Sequence, residues 1–114
     1  MLTHLDLCNN DIRMSGVTRI TGVPRQCSAR GHLDLRGNFI GPVGAEILAG
    51  VLTQCTVLTH LILEDNGIGT AGAGMIAEVL AQCPALTHLD LGLNGIGAAM
   101  RGRLRDECRG EVSD

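Results

Sequence analysis

The chain has 114 residues, enough for one small domain or for a piece of a longer protein. Apolar residues make up 45% of it, yet it has a single aromatic residue, Phe39, and all nine of its basic side chains are Arg. The net charge of −3 argues against a nucleic-acid-binding protein, which normally carries an excess of basic residues. No apolar run approaches the roughly 18 residues that a membrane-spanning helix needs, so we expect no membrane partner.

The cysteine count indicates the redox environment. Five cysteines are an odd number and cannot all pair within one chain. The first ten residues lack the basic segment and apolar run of a secretory signal. Both observations favour a reducing compartment, and we expect a cytoplasmic protein.

A 28-residue repeat runs through the sequence in one register, without insertions. Histidine, leucine, asparagine and isoleucine columns all follow the same spacing. The histidines are His4, His32, His60 and His88, and the asparagines are Asn10, Asn38, Asn66 and Asn94. We therefore expect four units, covering about residues 1–28, 29–56, 57–84 and 85–114, in a single domain.

Each unit divides into a strand and a helix. Alternation of Leu61 and Leu63 predicts a short strand with one buried face, and the asparagine that follows suits the bend after it. Its amide can bond backbone groups of the next turn, so stacked units would form an asparagine ladder. Apolar residues at helical spacing then predict one buried stripe per helix, made of Ile47, Leu48, Val51, Leu52 and Cys55 and, a unit later, Met75, Ile76, Val79, Leu80 and Cys83.

The two ends of the chain depart from the repeat. Pro24 stands where later units have a helical leucine, so the first unit is expected to be degenerate, with a short helical turn or an irregular segment over 17–22. The last helix is polar on its outer side, and we interpret 97–114 as a C-terminal cap with a frayed tail. Because Met1 leads straight into a strand, we expect further repeats or another chain to cover that edge.

The strand motif L-x-x-L-x-L-x-x-N-x-I, as at 58–68, resembles that of the leucine-rich repeat family. The 28-residue period is similar to the ribonuclease-inhibitor-like class, which includes the arrays of Nod-like receptors and the Ran GTPase-activating protein. The resemblance covers residues 1–108. It implies an α/β fold, a right-handed solenoid of four strand–loop–helix units with a parallel sheet on the concave side and helices on the convex side. It also implies a non-enzymatic scaffold for protein–protein interaction.

The concave face is the expected binding surface, since residues flanking the inward leucines point outward. Residues 37–100 contain five acidic residues and no Arg, which favours a partner with a basic surface. The alternative is that the acidic residues only keep an exposed sheet soluble. The predicted partner-binding residues form three columns, namely His4, His32, His60 and His88; Asp6, Asp34, Ile62 and Asp90; and Cys8, Arg36 and Glu64.

The histidine column raises the possibilities of a metal site and of a pH switch. A zinc site needs four convergent ligands, whereas a flat ladder diverges, so we expect neither a metal nor another cofactor. The simplest interpretation is an outward histidine copied by repeat duplication. Cys8 is expected to lie beside Arg36, whose guanidinium would lower the pKa of the thiol and make it the most reactive one. The alternative is an inert surface cysteine.

No catalytic residues are predicted, because none of the three serines, Ser15, Ser28 and Ser113, is placed beside a histidine with an orienting acid. One alternative comes from the resemblance to the Ran activator, whose function needs a loop arginine at a GTPase site. Arg13 is the one candidate for that role. A second alternative is a fragment of a longer array with no independent role. Phe39, in the loop after a strand, is the one aromatic side chain available as an interface anchor.

Overall fold

A computed structural model describes residues 4–6, 31–53, 58–83, 85–107 and 111–113. Strands and helices alternate along them. The strands are β1 (His4–Asp6), β2 (His32–Asp34), β3 (His60–Ile62), β4 (His88–Asp90) and β5 (Glu111–Ser113). The helices are α1 (Gly41–Leu52), α2 (Gly69–Val79), which continues as a 3₁₀ turn over Leu80–Gln82, and α3 (Ala98–Glu107).

The five strands form one parallel sheet in chain order. From β1 to β4, each residue pairs with the residue 28 positions later, as His32 does with His60 and His60 with His88. Parallel neighbours need a long crossover, and α1 and α2 supply it between β2, β3 and β4. The register keeps every column of the repeat in line across the sheet.

Strand β5 differs from the expected frayed tail. Glu111 pairs with His88, and Val112 pairs with Leu89, so the chain returns to the sheet after 23 residues instead of 28. Val112 is partly buried and packs against the core. The strand pairs with backbone groups that β4 would otherwise expose at the sheet edge. One valine between polar residues gives too little alternation to predict such a strand from sequence.

The core lies between the sheet and the helices. Each of β2, β3 and β4 contributes two buried leucines, one within the strand and one directly after it. The isoleucines that precede α1 and α2 are buried as well. Leu104 of α3 is also fully buried. The strand and pre-helix members are Leu33, Leu35, Ile40, Leu61, Leu63, Ile68, Leu89 and Leu91, and the helical ones include Leu48, Leu52, Ile76 and Leu80.

The helical stripe is only partly the one expected. Met75 is 40% exposed and Ile47 is only partly buried, whereas alanines and glycines on the neighbouring helix positions are buried. A Cβ added at Gly72 would lie 3.2 Å from the Cβ of Ala45 and 2.6 Å from a methyl of Ile68. The helices α1 and α2 thus meet through small side chains, which a search for large apolar residues overlooks.

Cys83 is buried, and its thiol lies 3.3 Å from the carbonyl oxygen of Leu52. This agrees with its expected place at a helix end. Cys27, Cys55 and the short helical turn or irregular segment expected over 17–22 lie outside the described residues.

The asparagines tie neighbouring units together. Asn66 Oδ1 accepts hydrogen bonds from the backbone N–H groups of Asn38 (2.8 Å) and Ile40 (3.4 Å). Its Nδ2 donates to the carbonyls of Leu35 and Leu63, both at 2.9 Å. Asn94 repeats the pattern one unit later, and all three side chains are buried. Buried backbone groups are therefore bonded across units as well as within them. Asn10 lies outside the described residues.

Candidate binding face

The side chains that alternate with the buried leucines form what we call the open sheet face. Within each of β2 and β3 the middle residue is buried and its two neighbours are partly exposed, as a half-buried strand requires. The face consists of His32, Asp34, Arg36, His60, Ile62, Glu64, His88, Asp90 and Gly92. Pairing places the backbones of His4 and Asp6 beside those of His32 and Asp34. The side chains of these two residues, and the whole of Cys8, lie outside the described part of the chain.

The histidines of the face form a stack. The ring centroids of His32 and His60 lie 3.8 Å apart at an interplanar angle of 12°, and those of His60 and His88 lie 4.1 Å apart at 9°. The hydroxyl oxygen of Thr59 lies 2.8 Å from Nδ1 of His60, and Thr87 approaches His88 in the same way at 3.3 Å. Both faces of the His60 ring are therefore covered by imidazoles.

Stacking also limits the chemistry of these rings. A nitrogen lone pair lies in the plane of its ring, so nearly parallel rings direct their lone pairs alongside one another instead of toward one point. Metal binding requires convergence of the ligands. Among the described residues, no group of three or more His, Cys, Asp or Glu side chains is placed to hold a metal ion.

Arg36 is held between two carboxylates. Its Nε lies 3.6 Å from Oε2 of Glu64, and its Nη2 lies 4.0 Å from Oδ2 of Asp34. The other carboxylate oxygen of Asp34 accepts a hydrogen bond from the Arg36 backbone N–H at 3.1 Å. The guanidinium is thus already paired, which leaves the face with an excess of negative charge.

Gly92 leaves space in which a further acidic side chain, that of Asp90, lies close to Glu64. The carboxylate of Asp90 accepts a hydrogen bond from the Gly92 N–H at 2.9 Å. A Cβ at Gly92 would lie 3.2 Å from Oδ1 of Asp90 and 3.5 Å from Cγ of Glu64. Among the described residues no ion pair involves Asp90 or the exposed Asp65.

The acidic residues of 37–100 divide between the two layers. Glu46 and Glu78 are exposed on α1 and α2, so they do not belong to the open sheet face. Glu64, Asp65 and Asp90 follow or belong to the strands. The negative charge predicted for the sheet side is therefore carried by fewer acidic residues than the sequence count suggests.

Two large apolar side chains in the loops after the strands are exposed, and the sequence predicts only one of them as a binding residue. Phe39 and Leu93 are 70% and 74% exposed, and both have left-handed backbones, with φ of 56° and 55°. Phe39 was considered as an anchor, whereas Leu93 was overlooked. The signal was available, because the residues at Leu93's position in the two preceding units are Gly37 and Asp65.

Several remaining expectations concern residues that the structure does not describe, among them Arg13, Ser15 and Ser28. Within the described ranges, no helix is long and apolar enough to cross a bilayer.

Comparison with known families identifies the repeat. A family described as "Leucine Rich repeat" matches residues 32–49, 54–77 and 82–99, together more than half of the chain. The comparison with curated proteins gives no match. Repeats of this family generally mediate protein–protein interaction and are typically not enzymes. The matches fall on the strand–helix repeats that form the parallel sheet, and the chain therefore belongs to the leucine-rich repeat family.

Proposed function

We propose that the chain is a non-enzymatic scaffold whose open sheet face binds a basic surface of a protein partner. In this proposal the face is the concave side of a right-handed solenoid of four units, in the ribonuclease-inhibitor-like class. The protein acts in the cytoplasm, and further repeats or another chain cover the outer edge of β1, which is an edge strand of the described sheet.

The observation that supports a basic partner is how the charged side chains of the open sheet face are paired. Arg36, a basic residue on a largely acidic face, is engaged by Asp34 and Glu64. Asp90 has its carboxylate fixed by the Gly92 N–H and lies next to Glu64. Fixed carboxylates attract a cationic partner without losing side-chain freedom, so they contribute to the rate and specificity of association.

The test uses charge removal at matched sites. A phage-displayed library of random 16-residue peptides is selected on the immobilised chain, and binding of the selected peptides is measured by calorimetry. We expect enrichment of Lys and Arg, and a double variant Glu64→Gln/Asp90→Asn should weaken binding by about threefold to tenfold, as for two exposed ion pairs. The control is Glu46→Gln/Glu78→Gln, which removes the same charge from the helices.

Two results would contradict the proposal. One is selection of peptides without basic residues. The other is an equal loss in both double variants, which would show that net charge alone governs binding. No observation on the described residues favours the GTPase-activating alternative.

A further inference from the structure

Phe39 and Leu93 are large apolar side chains at positions where the other described units have small or polar residues. The position of Phe39 is taken by Gly67 and Gly95. All of these residues have positive φ, a conformation that glycine adopts freely and that is unfavourable for phenylalanine and leucine. At 70% and 74% exposure, intramolecular burial does little to offset that cost. Backbone strain of this kind is a reason to look for a role in binding.

Acidic residues lie close to the backbone next to Leu93. Its neighbour Gly92 lies under the side chain of Glu64 and donates its N–H to Asp90. The backbone N–H of Asp65 donates to the Gly92 carbonyl at 2.9 Å, which holds Asp65 in the equivalent loop beside Leu93. Three acidic residues therefore adjoin the residue that precedes the exposed Leu93.

The loops that follow β2 and β4 are themselves uncharged. Parallel strands end at the same edge of a sheet, so the loops that carry Phe39 and Leu93 lie at one edge, on either side of the loop after β3 that carries Asp65. Residues 37–45 and 93–100 contain no charged side chain. Pro42 and Val43 are exposed near Phe39, as are Ala98 and Ala99 near Leu93. We call Phe39, Pro42, Val43 and Leu93 the apolar rim, and its loops directly follow strands that carry the open sheet face.

We infer that the apolar rim and the carboxylates around Leu93 together bind an amphipathic basic segment of a protein partner. Apolar side chains of that segment contact Leu93 and Phe39, while its Lys or Arg residues pair with Glu64, Asp65 and Asp90. The inference rests on the proposed function and specifies the partner. Phe39 and Leu93 lie two units apart, roughly 10 Å at the usual strand spacing, which three extended residues span.

The negative charge near Leu93 favours a basic segment over a second copy of the chain and over an anionic lipid surface. A second copy would bring the same three carboxylates against these, and like charges that face each other oppose association. An anionic lipid surface would be repelled for the same reason. A segment with both apolar and basic side chains satisfies the rim and the carboxylates at once.

The test uses the selected peptides described above and three single variants of the intact chain. Leu93→Asn removes the apolar side chain and keeps a residue that tolerates positive φ, while Phe39→Gly restores the residue of the other described units. We expect apolar residues spaced among the selected Lys and Arg, and at least tenfold weaker binding to each variant. Met75→Gln, which alters an exposed apolar residue on α2, should change binding less than twofold. Circular dichroism verifies that each variant is folded.

The outcomes separate this inference from the proposed function. Purely basic peptides that respond to Glu64→Gln/Asp90→Asn but not to Leu93→Asn would overturn the inference and leave the proposed function standing. Apolar peptides insensitive to the loss of the carboxylates would overturn both. A dimer of the wild-type chain in analytical ultracentrifugation, dissociated by Leu93→Asn, would identify a second copy as the occupant and overturn the inference.

Discussion

Replacing Asn66 by alanine should cost much more stability than one exposed hydrogen bond is worth. The side chain of Asn66 bonds backbone groups of its own unit and of the preceding one. Without it, the buried N–H of Asn38 loses its acceptor at 2.8 Å, and the N–H of Ile40 loses a longer contact at 3.4 Å.

The size of the loss follows from counting groups left without a partner. The carbonyls of Leu35 and Leu63 still receive amide N–H groups, from Asn38 and Asn94 respectively, so they stay satisfied. A buried donor without an acceptor costs about 1–3 kcal/mol, and the contact to Ile40 is weak. We therefore expect Asn66→Ala to lower the free energy of unfolding by about 3 kcal/mol, a large part of the 5–15 kcal/mol typical of a domain.

The measurement is urea unfolding followed by circular dichroism at 222 nm, because the chain has no Trp or Tyr to report by fluorescence. The control is Thr59→Val. Thr59 Oγ1 also bonds the preceding unit, donating to the Gly31 carbonyl at 2.9 Å, but that carbonyl keeps two backbone N–H donors, from Thr59 and His60. The control should therefore cost about 1 kcal/mol or less. Similar losses for the two variants, both near 1 kcal/mol, would refute the reasoning.

Four further predictions concern packing, strain and thiol access. Gly72→Ala should destabilise the fold by about 1–3 kcal/mol, since its Cβ would lie 2.6 Å from an isoleucine methyl. Gly50→Ala, also helical but with nothing within 4 Å of the new Cβ, should stabilise it by about 0.5–1 kcal/mol in the same urea assay. Leu93→Asn should leave stability unchanged or raise it by up to about 1 kcal/mol, because asparagine tolerates the positive φ at this position better than leucine does. A clear loss of stability would show that the leucine stabilises the fold. In limited alkylation with peptide mapping, we expect Cys8 to be labelled first and the buried Cys83 to be protected until the chain unfolds; early labelling of Cys83 would contradict its burial.

The strands were predictable and the helix contacts were not. In every unit, two leucines after the histidine alternate with residues of the open sheet face, as they do after His60 and His88. A strict 28-residue period then leaves one register for strand pairing. The amphipathic stripe of the helices was less informative. Gly72 and its alanine neighbours matter because their small size lets α1 and α2 pack closely, and not because they are strongly hydrophobic. Met75 has the right spacing for the core but is exposed.

The candidate site shows the same division. Alternation places residues such as Asp34 and Asp90 on the open sheet face, so the columns follow from the sequence. The pairing of Arg36 with two carboxylates depends on side-chain geometry between units, which spacing alone does not determine. Leu93 was missed because an apolar residue in a repeat of leucines is readily assumed to be buried.

The short last unit makes the two ends of the sheet different from each other. Because β5 joins the sheet after 23 residues, Glu111 takes the pairing position that a further histidine would occupy, and Ser113 takes that of an aspartate. In the pairing register, the four histidines of β1 to β4 are followed by Glu111, and the row of Asp6, Asp34, Ile62 and Asp90 is followed by Ser113. On the described part of the face, Arg36, Glu64 and Gly92 also follow one another from β2 to β4. An elongated ligand lying across the strands therefore meets a different order of groups in each of its two orientations.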